Sequence, residues 1–464
     1  MPIPQPSTTK RIATGFILLM AFSFSQDIIS SGLCPGFSYE RDCASGYSVV
    51  DTTLHEAVIS GNIVQVKRLL FNGCDINAVD EKGWTPLDYA NKRNRKEVKQ
   101  LLLELGAVTY QKKIGNLREG PHVLLGDSGS MEVVYLNHDA GSSHTTLERA
   151  LYKEVDFPVT LGNVTIEKTD IERVATDTYP AGHFDGVSRI LVVGDIHGIL
   201  DGVWNLLVNN GVMDSKGNWS WGDGHLVFVG DVFDRGSKVT EALWLIYSLS
   251  RQAEKHGGRV HFILGNHEPM IFKQDYRYVT DDYYSICDNL GLSYSDLFNE
   301  KTLLGRWLRN MPVLIRINGY GVVHAGISEE VLSMELPLDT INKIIWQFHN
   351  GREETRNTVI REKLLGSAGL LWYRGFVTNS EGSESSELLT VEKALDFYGV
   401  SKLIIGHTEV DSISTFFDQK IIDVNIPKRN REMPDQALLI TTEGISVVGE
   451  DGGVKKIGGQ SGKM

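Results

Sequence analysis

Cysteine is scarce in this chain, four in 464 residues, which leaves no framework of disulfides to hold a fold together. Only Cys34 and Cys43, flanking a Pro-Gly-containing loop, are placed to pair, and only in an oxidising compartment. Cys74 and Cys287 fall within structural segments and are expected in the core. Basic residues are also short, 46 against 59 acidic, for a net charge of −13. Binding a nucleic-acid backbone needs clustered Lys and Arg, so nucleic acid is excluded as the main partner. A long apolar run is missing too. The stretch Ile12 to Phe24, behind Lys10 and Arg11, falls short of the ~20 residues of a membrane span. With Ser23 and Ser25 as small residues it reads instead as an export signal, residues 1–25, cleaved after Ser25 and directing the chain to a periplasmic or secreted location. The remaining length suggests two or three domains.

What is present in the second half is a series of short polar motifs. Gly194-Asp195-Ile196-His197-Gly198, Gly230-Asp231-Val232-Phe233-Asp234-Arg235-Gly236 and Gly265-Asn266-His267-Glu268 each follow an apolar, β-branched run. They read as loops after buried parallel strands, and His324-Ala325-Gly326 and Gly406-His407-Thr408 come later in the chain. In open α/β sheets such loops converge beyond the carboxyl ends of the strands. The resulting set of Asp, Asn and His side chains suits hard or borderline divalent cations, Mn, Fe or Zn. Asp195 and His197 can grip one ion, Asn266, His324 and His407 the other, and Asp231 from the middle motif is the natural bridge. Two metals clamp the attacking and leaving oxygens of an in-line displacement at phosphorus. His267 is the candidate general acid, oriented by Asp234, and the Arg235 guanidinium matches phosphate geometry.

These residues resemble the calcineurin-like metallophosphoesterases and, within them, the phosphoprotein phosphatases. The resemblance implies the same roles position by position: metal ligands Asp195, His197, Asp231, Asn266, His324 and His407; acid His267 with Asp234; and phosphate clamp Arg235. Leu371-Trp372-Tyr373-Arg374-Gly375 resembles the loop carrying a second clamp, Arg374. Pro269 after Glu268, His-Ala-Gly at His324, and Tyr276-Arg277-Tyr278-Val279 look like the bacterial-type Shewanella-like branch. The fold implied by this resemblance is α/β, a metallophosphatase β-sandwich flanked by helices over residues 188–450. A phosphorylated protein or peptide is the expected substrate. A dinucleoside polyphosphate or other nucleotide hydrolase is the alternative, though such enzymes usually carry Asp where this chain has Glu268. A binding module with a silent phosphatase domain is the alternative of another class.

Ahead of that region Thr52-Thr53-Leu54-His55 and Thr85-Pro86-Leu87-Asp88 begin one 33-residue period apart, and Ala57 with Ala90 and Leu69 with Leu102 keep the offset. This resembles an all-α ankyrin pair at 51–108, with residues 26–50 as linker or cap. It is a docking surface for a protein partner or a scaffold. Being distant from every ligand in sequence, it is expected to leave hydrolysis of a small aryl phosphate unaffected. Residues 114–187 alternate in short runs between Gly and Asp-Ser-Gly turns and read as a small β-rich module, shaping the cleft or covering a sheet edge. Leu338 to Phe348 reads as a helix, Ser414 to Val424 and Ala437 to Val448 as strands, and 451–464 as a flexible tail. Asn163 and Asn218 are formal glycosylation acceptors.

Overall fold

The computed structural model describes residues 53–457 apart from 82, 110–115, 127–128, 143, 162–163, 175–178, 180, 353, 355–356, 379–385 and 429–433. The export segment, the 26–50 linker or cap, Cys34, Cys43, Asn163 and the last seven residues of the tail lie outside the described residues.

The 33-residue period appears as two antiparallel helix pairs. Leu54–Ser60 and Ile63–Phe71 make the first, Pro86–Lys92 and Lys96–Glu104 the second. Each repeat starts at a capping box: Thr53 with Glu56, then Thr85 with Asp88. The period-related residues bury against one another, Leu54 and Ala57 beside Leu87 and Ala90, Leu69 beside Leu102, with Cys74 in the same core. Arg95 ties the second pair to the first by donating from Nε and Nη2 to the Ile59 carbonyl at 2.9 and 2.6 Å.

Strands Leu117–Leu125, Met131–Asp139 and His144–Tyr152 form a three-stranded antiparallel sheet. Its first strand packs on helices Val239–Lys255 and Leu303–Arg309. Trp244 Nε1 in helix Val239–Lys255 donates to the Pro121 carbonyl at 2.8 Å, and the Leu125 amide donates to the Lys301 carbonyl at 2.7 Å. The segment expected to be β-rich also contains a helix, Lys168–Val174, and its strand His183–Phe184 pairs in parallel with Leu314–Ile317 of the core.

The core is two six-stranded sheets. One runs Val454–Lys456, Gly444–Gly449, Gln436–Thr441, Arg189–Val193, His225–Phe228, Arg259–Phe262. The other runs Ser414–Phe416, Ile421–Asp423, Lys402–Ile405, Tyr320–Val323, Leu314–Ile317, His183–Phe184. Ile190, Val192, Val227 and Ile263 from the first pack against Ile315, Val322, Ile404 and Ile422 from the second. Leu191, Val193, Leu226 and Phe228, on the opposite face, pack with helix residues such as Leu206 and Leu243. The strands are therefore apolar at successive positions because both faces are covered. Three sequence expectations change. Ser414 to Val424 is a hairpin of two strands, broken because Phe417, Asp418 and Gln419 all take positive φ. Ala437 to Val448 likewise falls in a hairpin, Gln436–Thr441 paired with Gly444–Gly449, turning before Gly444 at φ 126°. Residues 454–456, expected in the tail, form an edge strand through backbone pairing with Ser446, Val447 and Val448, a gain that does not need apolar side chains.

Candidate metal centre

The motif residues follow strands of both sheets: Asp195 after Arg189–Val193, Asp231 after His225–Phe228, Asn266 after Arg259–Phe262, His324 after Tyr320–Val323, and His407 after Lys402–Ile405. The first three strands are parallel to one another, as are the last two. Their carboxyl ends therefore deliver all five loops to one edge of the sandwich. Reaching it strains the backbone. His197, Asp231, Asp234, Arg235 and His407 are non-glycine residues with φ between 51° and 72°, a costly left-handed geometry that clusters at functional sites. Two glycines let the loops meet. A Cβ on Gly230 would lie 2.3 Å from the Gly265 amide nitrogen, and one on Gly265 would lie 2.2 Å from Asp231 Oδ1.

Asp231 sits at the centre and is 1% exposed. Its Oδ2 lies 3.3 Å from His324 Nε2 and 3.8 Å from Nε2 of both His197 and His267. Its Oδ1 accepts the His267 backbone N–H at 2.9 Å. The donor atoms form two buried groups that share Asp231: one with His197 and His267, the other with His324 and His407. Asn266 Oδ1 lies 3.0 Å from His324 Nε2, and Asp195 Oδ2 lies 3.9 Å from His197 Nε2. The imidazoles are oriented from behind. His197 Nδ1 pairs with the Phe233 carbonyl at 2.9 Å and His324 Nδ1 with the Val229 carbonyl at 2.7 Å, which turns both Nε2 atoms inward. His407 Nε2 is buried with no hydrogen-bond partner. A buried lone pair grouped with the Asp231 carboxylate and the His324 imidazole fits a cation as its missing partner.

Burial and the neighbouring groups set the charges at the centre. Burial works against ionising Asp231, but His324, His267 and His197 outweigh it and hold its pKa well below the ordinary value. Burial opposes charge on His324 as well, yet Asp231 raises its pKa to about 9. Asp195 is pushed up to about 7, chiefly by burial. Burial lowers His197 to about 3 and His407 to about 2, leaving them as neutral donors.

His267 stands apart by its partner: Nδ1 is 2.5 Å from Asp234 Oδ2. Sequence reasoning placed it only as an acid, whereas here its Nε2 also faces the donor group of His197 and Asp231. Of the two arginines, Arg235 Nη1 lies 3.1 Å from Glu409 Oε1, and Arg374 Nη1 donates to the His407 carbonyl at 3.1 Å. Both arrive at the rim of the centre.

Two residues escaped the sequence reading. Glu268 is fully buried and accepts three backbone N–H groups, from Gly265 at 2.7 Å, Val232 at 2.8 Å and Asp231 at 3.1 Å. It locks the second and third motif loops together. Glu268→Ala leaves three buried donors unmatched, and at about 1–3 kcal/mol each a loss of about 3 kcal/mol or more in unfolding free energy is expected by urea titration. Unchanged stability would show that the loops hold without it. Asp423 closes strand Ile421–Asp423 with Oδ2 buried and without a hydrogen-bond partner, and burial raises its pKa well above the usual range. An aspartate inside the run Ile421-Ile422-Asp423-Val424 was the available signal.

Residues 188–411 match the family described as calcineurin-like phosphoesterase, and 33–113 match ankyrin repeats (3 copies), starting ahead of the first described helix. An uncharacterised protein of Schizosaccharomyces pombe is 32% identical over 47% of this chain and 66% of its own length. Shewanella-like protein phosphatase 2 of Arabidopsis thaliana is 26% identical over 52% of this chain and 72% of its own. The chain thus spans about two thirds of the length of these relatives. Among solved structures, the cold-active protein-tyrosine phosphatase of a psychrophilic Shewanella superposes with a TM-score of 0.61 at 27% identity. That match covers 73% of this chain and 99% of the other.

Proposed function

We propose that this chain, which carries a calcineurin-like metallophosphoesterase domain behind ankyrin repeats and is a hydrolase of phosphatase type, removes phosphoryl groups from phosphorylated protein or peptide by attack of water. The observation that carries the reading is Asp231, shared by two buried donor groups beside two rim arginines. Asp195 and His197 would join Asp231 in holding one divalent metal, and Asn266, His324 and His407 the other. Bound there, the two ions would supply charge neutralisation at phosphorus and a water nucleophile available at neutral pH.

The remaining work falls to the chain's own side chains. Asp231 keeps its negative charge because three imidazoles surround it. Arg235 and Arg374 bind non-bridging phosphate oxygens, with Glu409 holding Arg235 in readiness. Asp234 fixes the proton on His267 Nδ1. Nε2 then gives its own proton to the leaving oxygen, and Asp231 and Asp234 favour the protonated ring against the effect of burial. Support for a protein or peptide substrate comes from the similarity to the Arabidopsis thaliana protein phosphatase and to the superposed protein-tyrosine phosphatase.

The test is a metal-supplemented assay of purified full-length chain on phosphotyrosine, phosphoserine and phosphothreonine peptides and on dinucleoside polyphosphates. Turnover of peptides is expected. Activity confined to dinucleotides would overturn the substrate class, and bound metal with no turnover of either would favour a binding module. Export remains part of the proposal. A mature chain beginning at Gln26 is expected by mass spectrometry of exported protein, and an intact Met1 on soluble cytoplasmic protein would refute it.

A further inference from the structure

Residues 276–284 lie between the ankyrin pair and the catalytic loops and touch both. On the repeat side, the Tyr276 amide donates to the Lys92 carbonyl at 3.1 Å, at the end of helix Pro86–Lys92. The Trp84 ring stacks on Tyr284, with centroids 5.9 Å apart and planes at 26°. Lys92 Nζ sits 3.9 Å over the Trp84 ring and 3.1 Å from Asp281 Oδ1, with its side chain only 12% exposed. On the catalytic side, the Arg235 amide donates to the Tyr278 carbonyl at 3.0 Å, and the Tyr283 hydroxyl donates to the Ser237 carbonyl. The Tyr278 ring lies 5.1 Å from the His267 ring, tilted by 38°. Tyr278 is 43% exposed and belongs to no apolar core, so packing alone does not place its ring.

We propose that the ankyrin pair is a working part of the catalytic centre, holding residues 276–284 so that Tyr278 is a positioning residue for His267 and Arg235. The inference rests on the functional reading above for its effect on rate, and on contacts alone for the mechanical link. Two anchors on one face of the second repeat help hold the ends of a nine-residue span, which also pack on the catalytic side through Tyr283 and through Tyr276, hydrogen-bonded to Ser295 at 2.9 Å, and Tyr278 within the span touches the imidazole. Freeing the ends lets Tyr278 swing out and widens the range of His267 orientations, and misplacing a reacting group by about an ångström costs about 10²-fold in rate. A protein gripping the repeats thereby biases the catalytic centre, and by reciprocity occupation of that centre biases the grip. This revises the expectation that the repeats leave hydrolysis of a small aryl phosphate unaffected.

The experiment compares full-length wild type, Trp84→Ala with Lys92→Ala, Tyr278→Leu, the three changes combined, and Phe71→Ser as a control on a 92% exposed side chain of the repeats. In the Trp84/Lys92 variant the Tyr276 amide is expected to exchange at least about tenfold faster, and the His267 ring signals to move as they lose the Tyr278 ring current. Turnover of phenyl phosphate, a poor leaving group, should fall about tenfold, more than that of dinitrophenyl phosphate. Tyr278→Leu should reproduce the rate loss, and the combination should add little to it. Phe71→Ser should change nothing. Unchanged exchange and ring signals in a folded Trp84/Lys92 variant would overturn the link. So would a rate loss that is equal for both leaving groups and additive with Tyr278→Leu. A wild type that turns over no phosphomonoester would strike the proposed function alone, since the exchange and ring signals decide the link without turnover.

Discussion

Asp231→Asn is expected to abolish turnover, by at least about 10³-fold, and to lower bound metal. The change keeps the shape of the side chain, so its Oδ1 can still accept the His267 backbone N–H, made at 2.9 Å in the parent. What disappears is the one negative charge common to both donor groups. Without it, His324 loses the neighbour that raises its pKa, and two like-charged ions would face each other with nothing between them. Elemental analysis of metal per chain beside a phosphatase assay reads both effects. Near-normal metal and near-normal turnover would show that Asp231 does not bridge.

The second large effect is expected at His267 and should differ in kind. His267→Asn should lose about 10²- to 10⁴-fold in turnover, the usual contribution of general acid catalysis. The loss should be larger for poor leaving groups, because a good leaving group departs without a proton. Metal content should hold, since all six proposed ligands, Asp195, His197, Asp231, Asn266, His324 and His407, remain in place. His267 Nε2 nevertheless faces the donor group of His197 and Asp231, which makes the metal measurement decisive. Loss of metal in proportion to loss of rate, with no dependence on leaving group, would make His267 a ligand and leave the acid to be found elsewhere.

The chemistry of the centre was legible in the chain because it is carried by residue types at short range. A glycine with an aspartate or asparagine after an apolar run records both the strand and the polar tip, and Asp195, Asp231 and Asn266 were found that way, while His324 and His407 were found as short polar motifs later in the chain. The 33-residue period was legible for the same reason: each repeat must bury the same face, so Leu54, Ala57 and Leu69 recur as Leu87, Ala90 and Leu102. Glu268 and Asp423 were not legible, since a carboxylate that serves backbone amides from another loop looks like any other carboxylate until the loops meet. The strand at 454–456 escaped because backbone pairing leaves no side-chain pattern. Nor could the chain reveal that Trp84 and Lys92 reach Tyr284 and Asp281, nearly two hundred residues later. Sequence alone determined which candidate ligands and which repeats this protein has, because periodicity and residue chemistry act within a few bonds. Tertiary structure alone decided what holds them in register, because contacts between distant segments depend on where whole elements pack.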